Sequence, residues 1–142
     1  MKGPTLAAAL VLTCLSAHTA ADAPDQSASA RIVGKWSWTR PDNKCVETHE
    51  YRPDGTLIVV SGAEKASNTY TVAAEPTANG FHKLTSRVVK DNGGKDCFDA
   101  EADRTGATAT HYIMIHPSGN KLMLCMDDSK DHCIGPYQRD KQ

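Results

Sequence analysis

The stretch Ile32-Val33-Gly34-Lys35-Trp36-Ser37-Trp38-Thr39-Arg40 decides how the chain is read. In an extended chain successive side chains point to opposite faces. Trp36 and Trp38 therefore share one face, while Lys35, Ser37 and Thr39 share the other. That is a strand with one buried side, and a single such strand needs others to cover it.

Seven further strands are expected downstream. Cys45 to Arg52 alternates, Pro53-Asp54-Gly55 supplies a tight reversal, and Thr56 to Ser61 is rich in β-branched residues, so these residues predict a hairpin. Gly62 to Ser67 reads as a polar loop and Asn68 to Ala74 as a strand. A turn over residues 76–80 leads into a strand from Phe81 to Lys90. Asp91 to Ala107 is the longest irregular segment. Strands follow at Thr108 to His116, Lys121 to Met126 and Cys133 to Arg139. No segment has a helical period, although a single turn fits near Phe98 to Arg104.

This pattern predicts an all-β domain, a single antiparallel up-and-down barrel of about eight strands. Closure pairs the last strand with the opening one and leaves no free edge. Pro136 removes a ladder hydrogen bond there, so that seam is expected to be locally open or bulged. In a meander, successive turns alternate between the two ends. The stiff bends at Pro53, Pro76 and Pro117 then share one end, and the loops after Arg40, Ser61, Lys90 and Met126 share the other.

The first 21 residues carry the marks of an export signal: Lys2, then an apolar or small run from Thr5 to Ala17 that is too short to span a bilayer. Cleavage is expected after Ala20 or Ala21. Residues 22–31 then form a flexible tether, and residues 32–142 the barrel. Val11-Leu12-Thr13-Cys14 has the outline of a lipid-attachment box, but Thr13 stands where a small residue is usual, so soluble export to the periplasm or the medium is the expectation rather than anchoring through Cys14.

Without the signal, four cysteines remain: Cys45, Cys97, Cys125 and Cys133. An even number in an exported chain favours two disulfides. All four fall in or beside the loops of one rim. Four cysteines allow three connectivities. Cys125 and Cys133 flank one loop on adjacent strands, and pairing them leaves Cys45 to bridge to Cys97 and tie down the long loop.

Loss of Lys2 leaves 15 Lys and Arg against 17 Asp and Glu. With this balance, and without a basic stripe, nucleic acid is a poor partner. No second long apolar run follows the signal, so no transmembrane segment is expected.

At this point the residues resemble the lipocalin-like barrels of the calycin superfamily, in particular small exported bacterial domains. Gly34-Lys35-Trp36 is similar to the G-x-W at the start of the first lipocalin strand, and Asp54-Gly55-Thr56 to a hairpin of small lipocalin-like proteins. The resemblance implies that Trp36 packs at the closed end, that Arg139 covers it, and that the barrel binds a small ligand.

Candidate chemistry is concentrated on the second strand. Cys45, Glu47, His49 and Tyr51 lie on one of its faces, and if that face points inward, Glu47, His49 and Tyr51 form a polar group suited to orienting a ligand. A solvated strand face is the competing reading. His111 and His116 are five apart and face opposite ways, so surface or internally satisfied histidines are expected, with no metal site. Asp99 to Asp103 has Arg104 where a calcium loop needs Gly, which leaves a solvated acidic loop. No nucleophile motif or phosphate-cradling loop appears, so the chain reads as a non-enzyme without a cofactor. Two functions fit a small exported monomer of this kind. One is a binding protein that holds an apolar or amphipathic small molecule at the loop-lined mouth. The other is a protein-recognition module, such as an inhibitor or immunity protein directed at an exported enzyme or toxin.

Overall fold

The computed structural model describes Gly3 and residues 26–141; apart from Gly3, the residues read as an export signal, Cys14 among them, lie outside the described residues. One short helix, α1 (Ala28–Ile32), precedes eight strands: β1 (Gly34–Thr39), β2 (Val46–Tyr51), β3 (Thr56–Ser61), β4 (Glu64–Val72), β5 (His82–Asp91), β6 (Thr108–Ile115), β7 (Lys121–Cys125) and β8 (Cys133–Arg139). They form a closed barrel in sequence order, with every neighbouring pair antiparallel. The up-and-down barrel expected from strand spacing is the architecture observed.

The seam between first and last strands is short. β1 and β8 pair only at Trp36 with Arg139 and at Ser37 with Gln138. The register of β8 on β7 also shifts between Leu122 and Leu124, next to the stretch that holds Pro136. A residue without an N–H has no ladder bond to give, so closure relies on side chains packed beneath the seam.

Those side chains belong to the closed end, where the N-terminus enters and the bends at Pro53, Pro76 and Pro117 lie. Trp36, Tyr51, Leu57, Leu84, Ile113, Leu122 and Tyr137 form a buried cluster there with Ile32. The tether reading gives way at Ala28, because Ser27 caps a helical turn by accepting from the Ala30 N–H. Ala28 and Ile32, four residues apart, are both buried, so the turn lays one apolar face on the barrel. A helix this short has no measurable period, and packing rather than propensity holds it.

Arg139 ties this end together. Its guanidinium carbon lies 4.1 Å from the centre of the Trp36 ring. Its N–H groups donate to the carbonyls of Val33 (2.6 Å), Arg31 (2.5 Å) and Gly119 (2.8 Å). Gly34 makes this possible, since a Cβ at Gly34 would fall 2.5 Å from Arg139 Nη1, and its φ of +133° disfavours other residues. The Trp36 indole N–H donates to the Ile32 carbonyl at 2.7 Å.

The opposite end carries the loops and both cross-links. Cys45 joins Cys97 and Cys125 joins Cys133, the pairing suggested by loop position. Two disulfides fit a chain that matures in an oxidising compartment. Among the described residues no helix is long and apolar enough to cross a membrane.

Two local expectations are corrected. β4 begins at Glu64, not Asn68: Ser61 pairs with Glu64, so only Gly62 and Ala63 make the reversal, with Gly62 at φ +59°. Glu64 and Lys65 read as loop because they are charged, yet Glu64 is buried. The long segment 92–107 has an isolated Lys95–Glu101 bridge and no helical turn.

Candidate functional site

β2 presents Glu47, His49 and Tyr51 to the barrel interior and Val46, Thr48 and Glu50 outward. Its two neighbours set this parity. On one side Trp36 pairs with His49 and Trp38 with Glu47; on the other Tyr51 pairs with Leu57 and Glu47 with Ser61. Paired residues point to the same side of a sheet, so the apolar residues of β1 and β3 draw the polar residues of β2 inward. The exposures of Glu47 and His49 are 8% and 7%, so the solvated-face reading does not hold. Cys45 is at the rim, bonded to Cys97.

Glu47 is the hub. Its Oε1 accepts from the Tyr137 hydroxyl and from His49 Nε2, the latter at 2.9 Å. Oε2 accepts from the Ser61 hydroxyl at 2.9 Å, and Ser61 Oγ accepts in turn from the Cys97 N–H at 3.0 Å. Burial works against the charge of Glu47. Hydrogen bonding and charge from His49, then hydrogen bonds from Tyr137 and Ser61, outweigh it and hold the carboxyl below its ordinary range.

An ionised Glu47 can only accept, so His49 Nε2 carries a proton. His49 Nδ1 then faces the Tyr51 hydroxyl at 3.3 Å, accepting from it when the ring is neutral and donating to it when the ring is protonated. Burial pushes the Tyr51 and Tyr137 phenols up, with the Glu47 charge adding to the effect, so both keep their protons. The Tyr137 ring also packs on His49 and on Trp38, at centroid separations of 5.0 and 5.9 Å.

Glu47, His49, Tyr51 and Ser61 form one wall of a cavity of about 230 Å³ inside the barrel. Leu57, Val59, Leu84, Val88, Leu124 and Ile134 make the apolar part, and His111 also lines it. Burial, followed by His49, lowers the His111 pKa, which favours the neutral ring.

Towards the rim the cavity is lined by Glu64, Asp91, Asp96 and Arg104. Arg104 bridges two carboxylates, donating to Glu64 and, at 3.1 Å, to Asp96 Oδ2. Asp91 accepts from the backbone N–H groups of Gly93 (2.8 Å) and Arg104 (3.1 Å), holding the two ends of the 92–107 segment together. Burial raises the Glu64 pKa. Arg104 opposes this, but Asp91 and Asp96 add to the rise and the net direction stays upward.

The same segment is fastened to the β1–β2 loop. The Cys97 carbonyl accepts from Arg40 Nη1 at 2.9 Å and from Asn43 Nδ2 at 3.1 Å. Phe98 stacks on Trp38 with centroids 6.2 Å apart, and Arg40 lies 4.5 Å above the Phe98 ring. A Cβ on Gly94 would come within 2.3 Å of the Ala63 carbonyl oxygen, so only glycine lets the segment lie this close to the β3–β4 turn.

Among the described residues the other histidines stand apart from the cavity: His82 meets the Ala73 carbonyl, His116 the Ser118 hydroxyl, and His132 the Asp127 carboxylate. Among the described residues no group of three His, Cys, Asp or Glu side chains is placed to hold a metal ion. Asp99 lies 3.9 Å from Lys95 at the exposed surface.

Sequence reasoning singled out Glu47, His49 and Tyr51, which the structure brings together. It passed over Ser61, Tyr137 and the Glu64–Arg104–Asp96 group, and it took His111, which lines the cavity, for a surface or internally satisfied histidine. Ser61 was within reach, because the three-residue turn at Pro53-Asp54-Gly55 places it opposite Glu47. Tyr137 was not, since its position depends on closure. Comparison of the chain with protein-family models, curated proteins and solved structures found no match.

Proposed function

We propose that this chain is an exported, non-enzymatic binding protein of lipocalin-like design that holds a small amphipathic molecule inside the barrel, entering from the disulfide-braced mouth. The observation that carries the reading is the cavity, where a hydrogen-bonded polar wall centred on Glu47 faces an apolar wall of Leu, Val and Ile side chains. Ligand sites are built this way, with a few convergent polar groups that orient and an apolar surface that supplies affinity. At about 230 Å³ the space suits a compact molecule rather than a long-chain lipid. The periplasm or the medium is the proposed location, with the chain acting as a monomer.

A second reading is a protein-recognition module that uses the rim itself, in the manner of an inhibitor or immunity protein. It is favoured by the exposed apolar side chains of Val46, Phe98 and Met126 at that end. One experiment separates the two. Protein purified from its own source is examined by native mass spectrometry and pull-down as wild type, as Ala66→Phe, which fills the cavity, and as Phe98→Ser/Met126→Ser, which alters only the rim. A small molecule lost in Ala66→Phe and kept in the rim variant supports binding in the barrel. A stoichiometric protein lost in the rim variant and kept in Ala66→Phe supports recognition instead and defeats the first reading.

A further inference from the structure

We infer that the cavity selects a cation: the ligand carries a protonated amine or an amidinium on a short apolar body. This rests on the reading of the cavity as a ligand site and adds the chemical class of the ligand.

The first argument is the balance of charge around the cavity. Its lining contains four carboxylates, Glu47, Glu64, Asp91 and Asp96, and one guanidinium, Arg104; no lysine takes part. Arg104 is already engaged by Glu64 and Asp96, so its charge is not free for an anionic ligand. A protonated His49 would pair with Glu47 alone and still leave carboxylates in excess. Burial is the main cause of the raised Glu64 pKa, and Asp91 and Asp96 add to it against the opposing charge of Arg104. A cleft with low-dielectric apolar walls concentrates such a field and weakens its screening by water.

The second argument is hydrogen-bond capacity. A carboxylate offers about four acceptor positions. Glu47 uses three, for Tyr137, His49 and Ser61. One remains on Oε2 for a donor inside the cavity, and an ammonium or amidinium brings both that donor and the missing positive charge. Leu57, Val59, Leu84, Val88, Leu124 and Ile134 suit an aliphatic body. A carboxylate ligand of the same size would be repelled by the field that attracts the amine, so the arrangement discriminates as well as binds.

The test uses three probes with the same carbon chain, hexylamine, hexan-1-ol and hexanoate, titrated calorimetrically into the full mature protein at pH 7. Hexylamine is expected to bind at least tenfold tighter than hexan-1-ol, with no detectable heat from hexanoate. In Glu47→Gln the amine should lose at least tenfold in affinity and the alcohol, which loses a hydrogen-bond acceptor but no ion pair, several times less. Asp96→Asn, nearer the surface, should give a smaller loss and serves if Glu47→Gln does not fold. Alcohol or hexanoate binding as tightly as the amine overturns the inference and leaves the cavity reading standing. Amine binding indifferent to both substitutions places it elsewhere and overturns the inference too. If none of the three binds, the cavity reading itself is rejected and the inference falls with it.

Discussion

The two ends of this barrel are held by different physics. At the closed end Trp36, Tyr51, Ile113, Leu122 and Tyr137 pack almost without exposure, α1 lies over them, and the half-buried guanidinium of Arg139 is spread over three carbonyls and an aromatic ring. At the mouth the backbone has little sheet to support it. Two disulfides, an arginine between two carboxylates and a run of side-chain to backbone hydrogen bonds take over. Packing suits an end that only closes, whereas cross-links and ion pairs can brace an opening without filling it.

The contrast can be broken first at Trp36. Trp36→Ala should destabilise folding by about 3–5 kcal/mol, as large aromatic truncations in cores do. Urea denaturation would measure this, and the folded fraction should bind hexylamine as the wild type does. Intact stability with lost binding would mean that the two ends have been assigned the wrong way round.

Next come the cross-links. Cys45→Ala/Cys97→Ala opens a loop with a sequence separation of 52, and the chain-entropy estimate is a loss of about 4 kcal/mol. For Cys125→Ala/Cys133→Ala, with a separation of 8, the same estimate is about 2.5 kcal/mol. Hydrogen exchange should also differ, with amides 92–107 accelerated in the first variant more than in the second. Equal destabilisation by both would show that the long segment is held by its other contacts.

Glu47→Gln should cost about 1.5–3 kcal/mol, the range for hydrogen bonds to a charged partner. It should also change the dependence of stability on pH. Glu47 has a lowered folded pKa, so its contribution is full above the unfolded value and is lost as pH falls through the folded one. Acid denaturation of Glu47→Gln should therefore be less steep below about pH 4.5 than that of the wild type.

The smallest effect has the opposite sign. Glu64 has a raised folded pKa, so its contribution is present below the unfolded value and lost as pH rises through the folded one. Glu64→Gln should remove a slight decline in stability above about pH 4.5. If both variants shift the profile in the same direction, the deep wall and the mouth do not differ in the way described.

Much of this could be read from residues alone. Strand alternation located all eight strands, Pro and Gly marked the bends, and parity put the cysteines on one rim. The hairpin of β2 and β3 even carried the register that sets Ser61 against Glu47. Glu64 was hidden because a charged residue near a glycine looks like loop, and only Arg104, 40 positions later, makes its burial tolerable. α1 was hidden because five residues show no period and because its partner surface is the finished barrel.

The number and order of strands, the turn chemistry and the two-ended character of the molecule are written in the residues, because they follow from alternation, φ preferences and chain parity, all of them local. The inside of the barrel took shape only on closure. Glu47 from β2, His111 from β6 and Tyr137 from β8 meet because closure brings distant strands within hydrogen-bonding reach or onto one cavity. A buried polar group is stabilised by its partners, and no single strand carries more than a few of them.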